Sequence, residues 1–191
     1  ILDLSSAGNQ PMKSNSGRFI VTYNGEIYNH LELRKELEIK NPGIKWRSNS
    51  DTETLLEGIE TWGLELALNK IVGMFAFGLW DKKNRSLTLA KDRMGEKPLY
   101  FGWQGKGVNR VFLFGSEIKA LKAHPEFSAE VNRNMVAVQL RHNCIPAPYS
   151  IYKNIYKLSP GNYLNLNESD LQLGILPKQK PYWSLIESAI K

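Results

Sequence analysis

Asn24, Gly25 and Glu26 stand together directly after the apolar run at residues 19–23, which places a side-chain amide, an uncovered backbone N–H and a carboxylate within three positions. Such a group suits binding and polarising a small amide. Glycine lets a backbone N–H approach a ligand closely, and an adjacent Asn supplies a second donor, so the pair can form an oxyanion hole for acyl transfer. Asn-Gly is also a strong signal for a tight hairpin turn, and the local residues alone leave both readings open. Elsewhere the three histidines, His30, His124 and His142, have no metal-ligand spacing with each other or with Cys144, so no metal is expected. One cysteine also rules out an internal disulfide framework.

The elements that must carry this cluster can be read from periodicity. After Asn24, Asn29 is positioned to cap a helix over 30–39, with Glu32 three residues on and Leu33 and Leu37 sharing a face. Asn41, Pro42 and Gly43 stop it, and a short strand is expected at 44–47. Ser50 and Glu53 form a second capping-box pattern, opening a helix whose buried stripe is Leu55, Leu56, Ile59 and Trp62 and which Gly63 ends. From Gly73 the pattern turns to strands at 73–81 and 86–91 joined by a turn, then 99–103 and 111–114. Met74, Phe75, Phe77 and Trp80 are core candidates. Residues 118–121 and 135–140 read as helical, and 162–166 as extended. Helices and strands come in blocks, which predicts an α+β fold of mostly antiparallel sheets covered by helices. The stretch beyond Leu173, with Pro177, Lys178, Lys180 and Pro181, reads as a linker over 174–191.

A chain of 191 residues, 42% hydrophobic and 23% charged, is long enough for one well-buried core. The net charge of +6 is scattered and forms no basic block or stacking groove, so a nucleic-acid partner is not expected. No stretch reaches the apolar length of a membrane span and none has a signal-peptide pattern, which predicts a cytoplasmic protein with no membrane partner. The chain starts without Met and in mid-pattern, and reads as truncated.

In combination the runs resemble the glutamine-hydrolysing asparagine synthetases, specifically their N-terminal class II glutamine amidotransferase domain. The runs are ILDLSSAGNQPM from Ile1, NGEIYNH from Asn24, SDTETLLEGIETWG from Ser50, GMFAFGLWD from Gly73, KDRMGEKPLYFG from Lys91 and GSEIKAL from Gly115, in family order. The resemblance spans nearly the whole chain, with the domain over 1–173. It implies an Ntn-hydrolase-like αββα sandwich, here incomplete because N-terminal strands are missing, with exposed sheet edges and a tendency to self-associate. It implies hydrolysis of glutamine to glutamate and ammonia by an N-terminal cysteine, whose α-amino group, titrating at about pH 7.7–8.0, serves as base. Asn24 and Gly25 then match the oxyanion hole. Glu26 and Asp51 match the carboxylates near the substrate's α-ammonium, although Asp51 also suits a helix N-terminus. Ile1 and Leu2 match a segment lining the glutamine pocket. Asp92, Arg93, Gly95 and Lys97 read as a solvated charged turn, with a contact to the synthetase domain as the other reading.

The nucleophilic cysteine and the arginine that would clamp the glutamine carboxylate are absent from these residues, and Cys144, in mid-chain, has no terminal amine to activate it, so the chain by itself is expected to be inactive. The resemblance further implies a synthetase domain in cis beyond Lys191. That domain would use ATP and Mg²⁺, while this one needs no cofactor, and homodimerisation is left open. Two alternatives are a non-catalytic amidotransferase-like domain of a β-lactam synthetase-like protein and a glutamine-binding or interaction module.

Overall fold

The computed structural model describes residues 2–190. The apolar run at Phe19 does not stop at Asn24 but continues as a nine-residue strand, β2 (Phe19–Ile27), after the short β1 (Met12–Lys13). The tight-turn reading of Asn24-Gly25 is therefore wrong. β2 pairs antiparallel along its whole length with β3 (Gly73–Asp81), Asn24 facing Ala76 and Gly25 facing Phe75. A full ladder to a long apolar neighbour outweighs the local turn preference of two residues. Gly25 is required here for close approach: a Cβ would lie 2.2 Å from the Met74 carbonyl oxygen.

β4 (Ser86–Lys91) completes the expected hairpin with β3. β8 (Asn162–Leu166) and β9 (Lys180–Pro181) extend the sheet to the order β1-β2-β3-β4-β8-β9. A second sheet, β6-β5-β7, joins β5 (Tyr100–Gln104), β6 (Val111–Gly115) and β7 (Tyr156–Lys157). All of these pairings are antiparallel, the expected α+β arrangement.

Alternation along each strand sends side chains to opposite faces, and the two faces of the larger sheet build two cores. On one face Val21, Ile27, Phe75 and Phe77 pack against α1 (His30–Lys40), α2 (Asp51–Trp62) and α3 (Leu64–Lys70), through Leu33, Leu55, Leu56 and Leu68. On the other, Ala76, Leu89 and Leu164 meet Phe101 of the smaller sheet and Leu158, just past β7. Gly78 lets the Phe114 ring close on β3, since a Cβ there would fall 2.4 Å from the ring. α4 (Ile118–Lys122) lies on β6 through Leu121, whereas α5 (Arg133–His142) buries no residue.

Several local expectations change. Residues 44–47 form no strand; Arg47 instead turns its backbone N–H and guanidinium to the buried Glu53. Glu53 does not close a capping box, because its carboxylate accepts from the Arg47 and Ser48 N–H groups and the Ser48 hydroxyl. Asn29 likewise makes no cap bond and ties α1 to the start of β3 through the Lys70 carbonyl and the Val72 N–H. Part of the stretch expected as linker is bound into the fold. After α6 (Glu168–Leu173), Ile175 accepts from the Trp103 indole, β9 joins β8, and Tyr182 reaches the Lys91 carbonyl; α7 (Leu185–Ile190) follows. Among the described residues no helix is long and apolar enough to cross a membrane.

Candidate active site

In a strand, backbone N–H groups two residues apart point to the same edge. β1 covers the outer edge of β2 only at Ile20 and Val21, so beyond that point the edge away from β3 has no strand partner among the described residues. Two of the freed donors are taken by side chains: the Tyr23 N–H goes to Gln10 Oε1 and the Ile27 N–H goes to Asp51 Oδ2 at 2.8 Å. The Gly25 N–H lies between them on the same edge and has no acceptor among the described residues. This donor faces a cavity of about 610 Å³, lined by Leu2, Asn24, Gly25, Glu26, Asp51 and Lys97 among others.

Each flank of the cavity is held by a different element. Asp51, 4% exposed at the first turn of α2, is anchored by Ile27 and by the Tyr23 hydroxyl at 3.1 Å, both on Oδ2; Oδ1 has no donor among the described residues. Burial, reinforced by the Asp51 carboxylate, raises the Tyr23 phenol far above its ordinary pKa, so it stays a donor. Ser50 caps α2 by accepting the Thr52 N–H, and the loop before it is fixed by Arg34, whose guanidinium donates to the Ser48 and Ser50 carbonyls. Asn24 projects from the opposite face of β2 and donates Nδ2 to Ser116 Oγ at 3.1 Å, just past β6. The oxyanion candidates thus lie where the two sheets meet.

Glu26 is exposed at the rim and Lys97 half-buried. Lys97 belongs to the run expected as a solvated turn, and here the structure differs: Asp92 is fully buried. Its carboxylate accepts the N–H groups of Phe75, Gly95, Glu96 and Lys97, folding the loop back on β3. Leu2 reaches the cavity, while Ile1 lies outside the described residues. Asp3 pins this segment by accepting the Ser5 and Asn49 N–H groups. With Asp3, Glu26 and Asp51 against Lys97, the lining is net negative and favours a cationic group.

The predicted residues Leu2, Asn24, Gly25, Glu26 and Asp51 come together in this one cavity. Sequence reading missed Tyr23 and Ser116. Tyr23 carried a signal, sharing the odd-numbered face of β2 with Val21 and Ile27; Ser116, 92 residues from Asn24, carried none. Met74, expected in the core, lines the cavity instead. Cys144 is an exposed free thiol just past α5 and does not line it.

Residues 1–183 match the family described as glutamine amidotransferase domain. The chain belongs to this family. The amidotransferase domain is 36% identical over 169 residues to glutamine-hydrolyzing asparagine synthetase 3 of Bacillus subtilis, covering 87% of this chain and 26% of that protein. It is 41% identical over 121 residues to the glutamine-hydrolyzing asparagine synthetase of Sandersonia aurantiaca, covering 63% and 21%. Across the first matches the domain spans only about a quarter to a third of the relatives' length, 26% and 32% in two cases. Its fold is similar to that of glutamine phosphoribosylpyrophosphate amidotransferase from B. subtilis, with a TM-score of 0.60 at 19% identity over 94% of this chain and 33% of that one.

Proposed function

We propose that the chain is the glutamine-binding half of a glutaminase that supplies ammonia to an ATP-dependent asparagine synthetase domain in cis. The observation that carries this reading is the unfilled Gly25 N–H on the β2 edge, flanked by the Asn24 amide and facing the Asp51 carboxylate across one cavity. Glutamine carries a cation at one end and an amide at the other. The α-ammonium binds Asp51 Oδ1, with Glu26 adding charge at the rim, and the side-chain carbonyl points at Gly25 and Asn24. As a nucleophile adds to that carbon, negative charge moves onto the oxygen, where one preorganised donor is worth about 3 kcal/mol. Ser116 occupies one Asn24 N–H and orients the other toward the oxygen.

The 191 residues supply the polarising donors but no thiol at the cavity, since their one cysteine is Cys144. The chain by itself binds glutamine without hydrolysing it, and turnover needs a cysteine contributed by the full-length protein. The names of the relatives support asparagine as the product of the whole protein. ATP and Mg²⁺ would act in the synthetase part.

The test is ammonia release from glutamine by the full-length protein, with glutamine binding followed by calorimetry. Turnover that falls roughly 10²–10³-fold in Asn24→Ala, with binding largely kept, is the expected result. A full-length protein that neither binds nor hydrolyses glutamine overturns the reading.

A further inference from the structure

A separate cavity of about 330 Å³ lies between the end of β4, the Asp92 turn and β7, and shares no lining residue with the glutamine cavity. Its wall includes two lysines, Lys91 and Lys157. Lys91 is only 8% exposed, yet its ammonium has no carboxylate within 4.0 Å and no hydrogen-bond acceptor among the described residues. Burial of most of the side chain partly desolvates the charge, which strengthens its attraction to an anion in the cavity. The neighbouring Asp92 does not serve as partner, since its two oxygens already take four backbone N–H groups. The stem of Lys91 is held against Gly95, whose Cβ position would lie 3.4 Å from Cε, and its carbonyl accepts the Tyr182 hydroxyl at 2.9 Å.

Lys157 faces the same space. Its ammonium gives one hydrogen to the Ile145 carbonyl at 2.5 Å and sits 5.9 Å from the Tyr100 ring centre, again without a carboxylate partner. Burial lowers the Lys91 pKa; Asp92 opposes this shift and Lys157 adds to it. Glu96, exposed at the rim, is the one acidic residue lining the cavity, and it forms no ion pair among the described residues. Two ammoniums thus open onto one small cavity, that of Lys91 on a largely buried side chain and without an acceptor among the described residues, an arrangement that suits an anion.

We propose that this cavity binds a small oxyanion, a carboxylate or phosphate group, between the Lys91 and Lys157 ammoniums. The anion is free in solution or is an acidic side chain from another part of the full-length protein. The proposal does not depend on glutamine chemistry, since neither lysine lines that cavity.

Inorganic phosphate and acetate, each titrated at constant ionic strength against chloride, provide the probes, with the Lys91 Cε resonance and the melting temperature as readouts. Saturable movement of Lys91 and a rising melting temperature are expected. Affinity should fall about tenfold or more in Lys91→Met and in Lys157→Met, the loss of one charge-assisted contact. Lys157→Met carries the test if Lys91→Met fails to fold. Reductive methylation separates the two sources. Lys157, half-buried at the same cavity, is the reporter: its protection in the full-length protein without added anion identifies an internal carboxylate, and protection that needs phosphate identifies a free ion. No saturable response to either probe, with Lys157 also unprotected in the full-length protein, overturns the proposal. A response equal in both variants and the unmodified chain overturns it as well.

Discussion

Replacing Asp51 by Asn removes one charge with almost no change of shape. Asp51 Oδ2 accepts the Ile27 N–H at 2.8 Å and the Tyr23 hydroxyl at 3.1 Å, and an Asn carbonyl can accept both. The fold should therefore lose only the charge assistance of these bonds, about 1 kcal/mol. The ligand loses more, because an amide NH₂ would stand where Oδ1 meets the α-ammonium. The missing charge-assisted bond is worth about 1.5–3 kcal/mol, so glutamine should bind roughly 10- to 150-fold more weakly. Asp51→Ala separates the two roles. It leaves a buried backbone N–H and the Tyr23 hydroxyl without their acceptor, a loss of about 2–4 kcal/mol, or roughly 5–15 °C in melting temperature for a domain of this size. Calorimetry with glutamine on the full-length protein and thermal melts of both variants give the two numbers. Glutamine affinity within threefold of wild type in Asp51→Asn would remove Asp51 from the binding role. An Asp51→Ala protein that melts like wild type would refute the anchoring geometry.

Gly25→Ala should destabilise by about 1–3 kcal/mol in denaturant melts, because its Cβ meets the Met74 carbonyl and Phe75 Cα on the paired strand, where only backbone movement relieves the clash. Ser116→Ala should lower glutaminase kcat about tenfold with KM unchanged and leave the melting temperature near wild type, since the Asn24–Ser116 bond is exposed; a KM effect alone would contradict the orienting role. Arg18 holds Asp81 through two hydrogen bonds, at 2.6 and 3.1 Å. Burial raises the Asp81 pKa, but Arg18 with the Asn84 and Lys83 N–H groups outweighs this and lowers it overall. The pair's contribution is thus present above the unfolded carboxylate pKa and lost as pH falls through the lower folded value, so Arg18→Met should cost about 1 kcal/mol at pH 7 and close to nothing in strong acid, measured by urea melts. Glu57 has the opposite sign: burial raises its pKa, so Glu57→Gln should melt at or above wild type at neutral pH, an advantage that disappears as pH falls through the raised folded pKa toward the unfolded one.

Much of the framework was legible because its signals are local. The β3–β4 hairpin follows from apolar runs flanking a polar turn, and α2 from a Ser50 cap, a periodic stripe and a Gly63 stop. Asn24, Gly25, Glu26 and Asp51, singled out through the ordered runs and not through their own preferences, line one cavity. Read locally, Asn24-Gly25 is a turn, and residues 44–47 are a strand. Both readings fail because the deciding contacts are distant in sequence: β3 for the first, the buried Glu53 carboxylate and its partners for the second.

The sequence by itself determined which segments are amphipathic, where they stop, and which residues resemble an amide-handling site. Tertiary structure alone decided which backbone donor stays unfilled and which charges stay unpaired. Among the described residues the Gly25 N–H has no acceptor, while Gln10 and Asp51, from separate segments, fill the donors on either side of it. Lys91 has no carboxylate partner among the described residues, and the oxygens of the adjacent Asp92 are taken by four N–H groups from two segments. Both outcomes depend on how distant polar groups compete for the same few acceptors once buried, and residue type or spacing does not encode that competition locally.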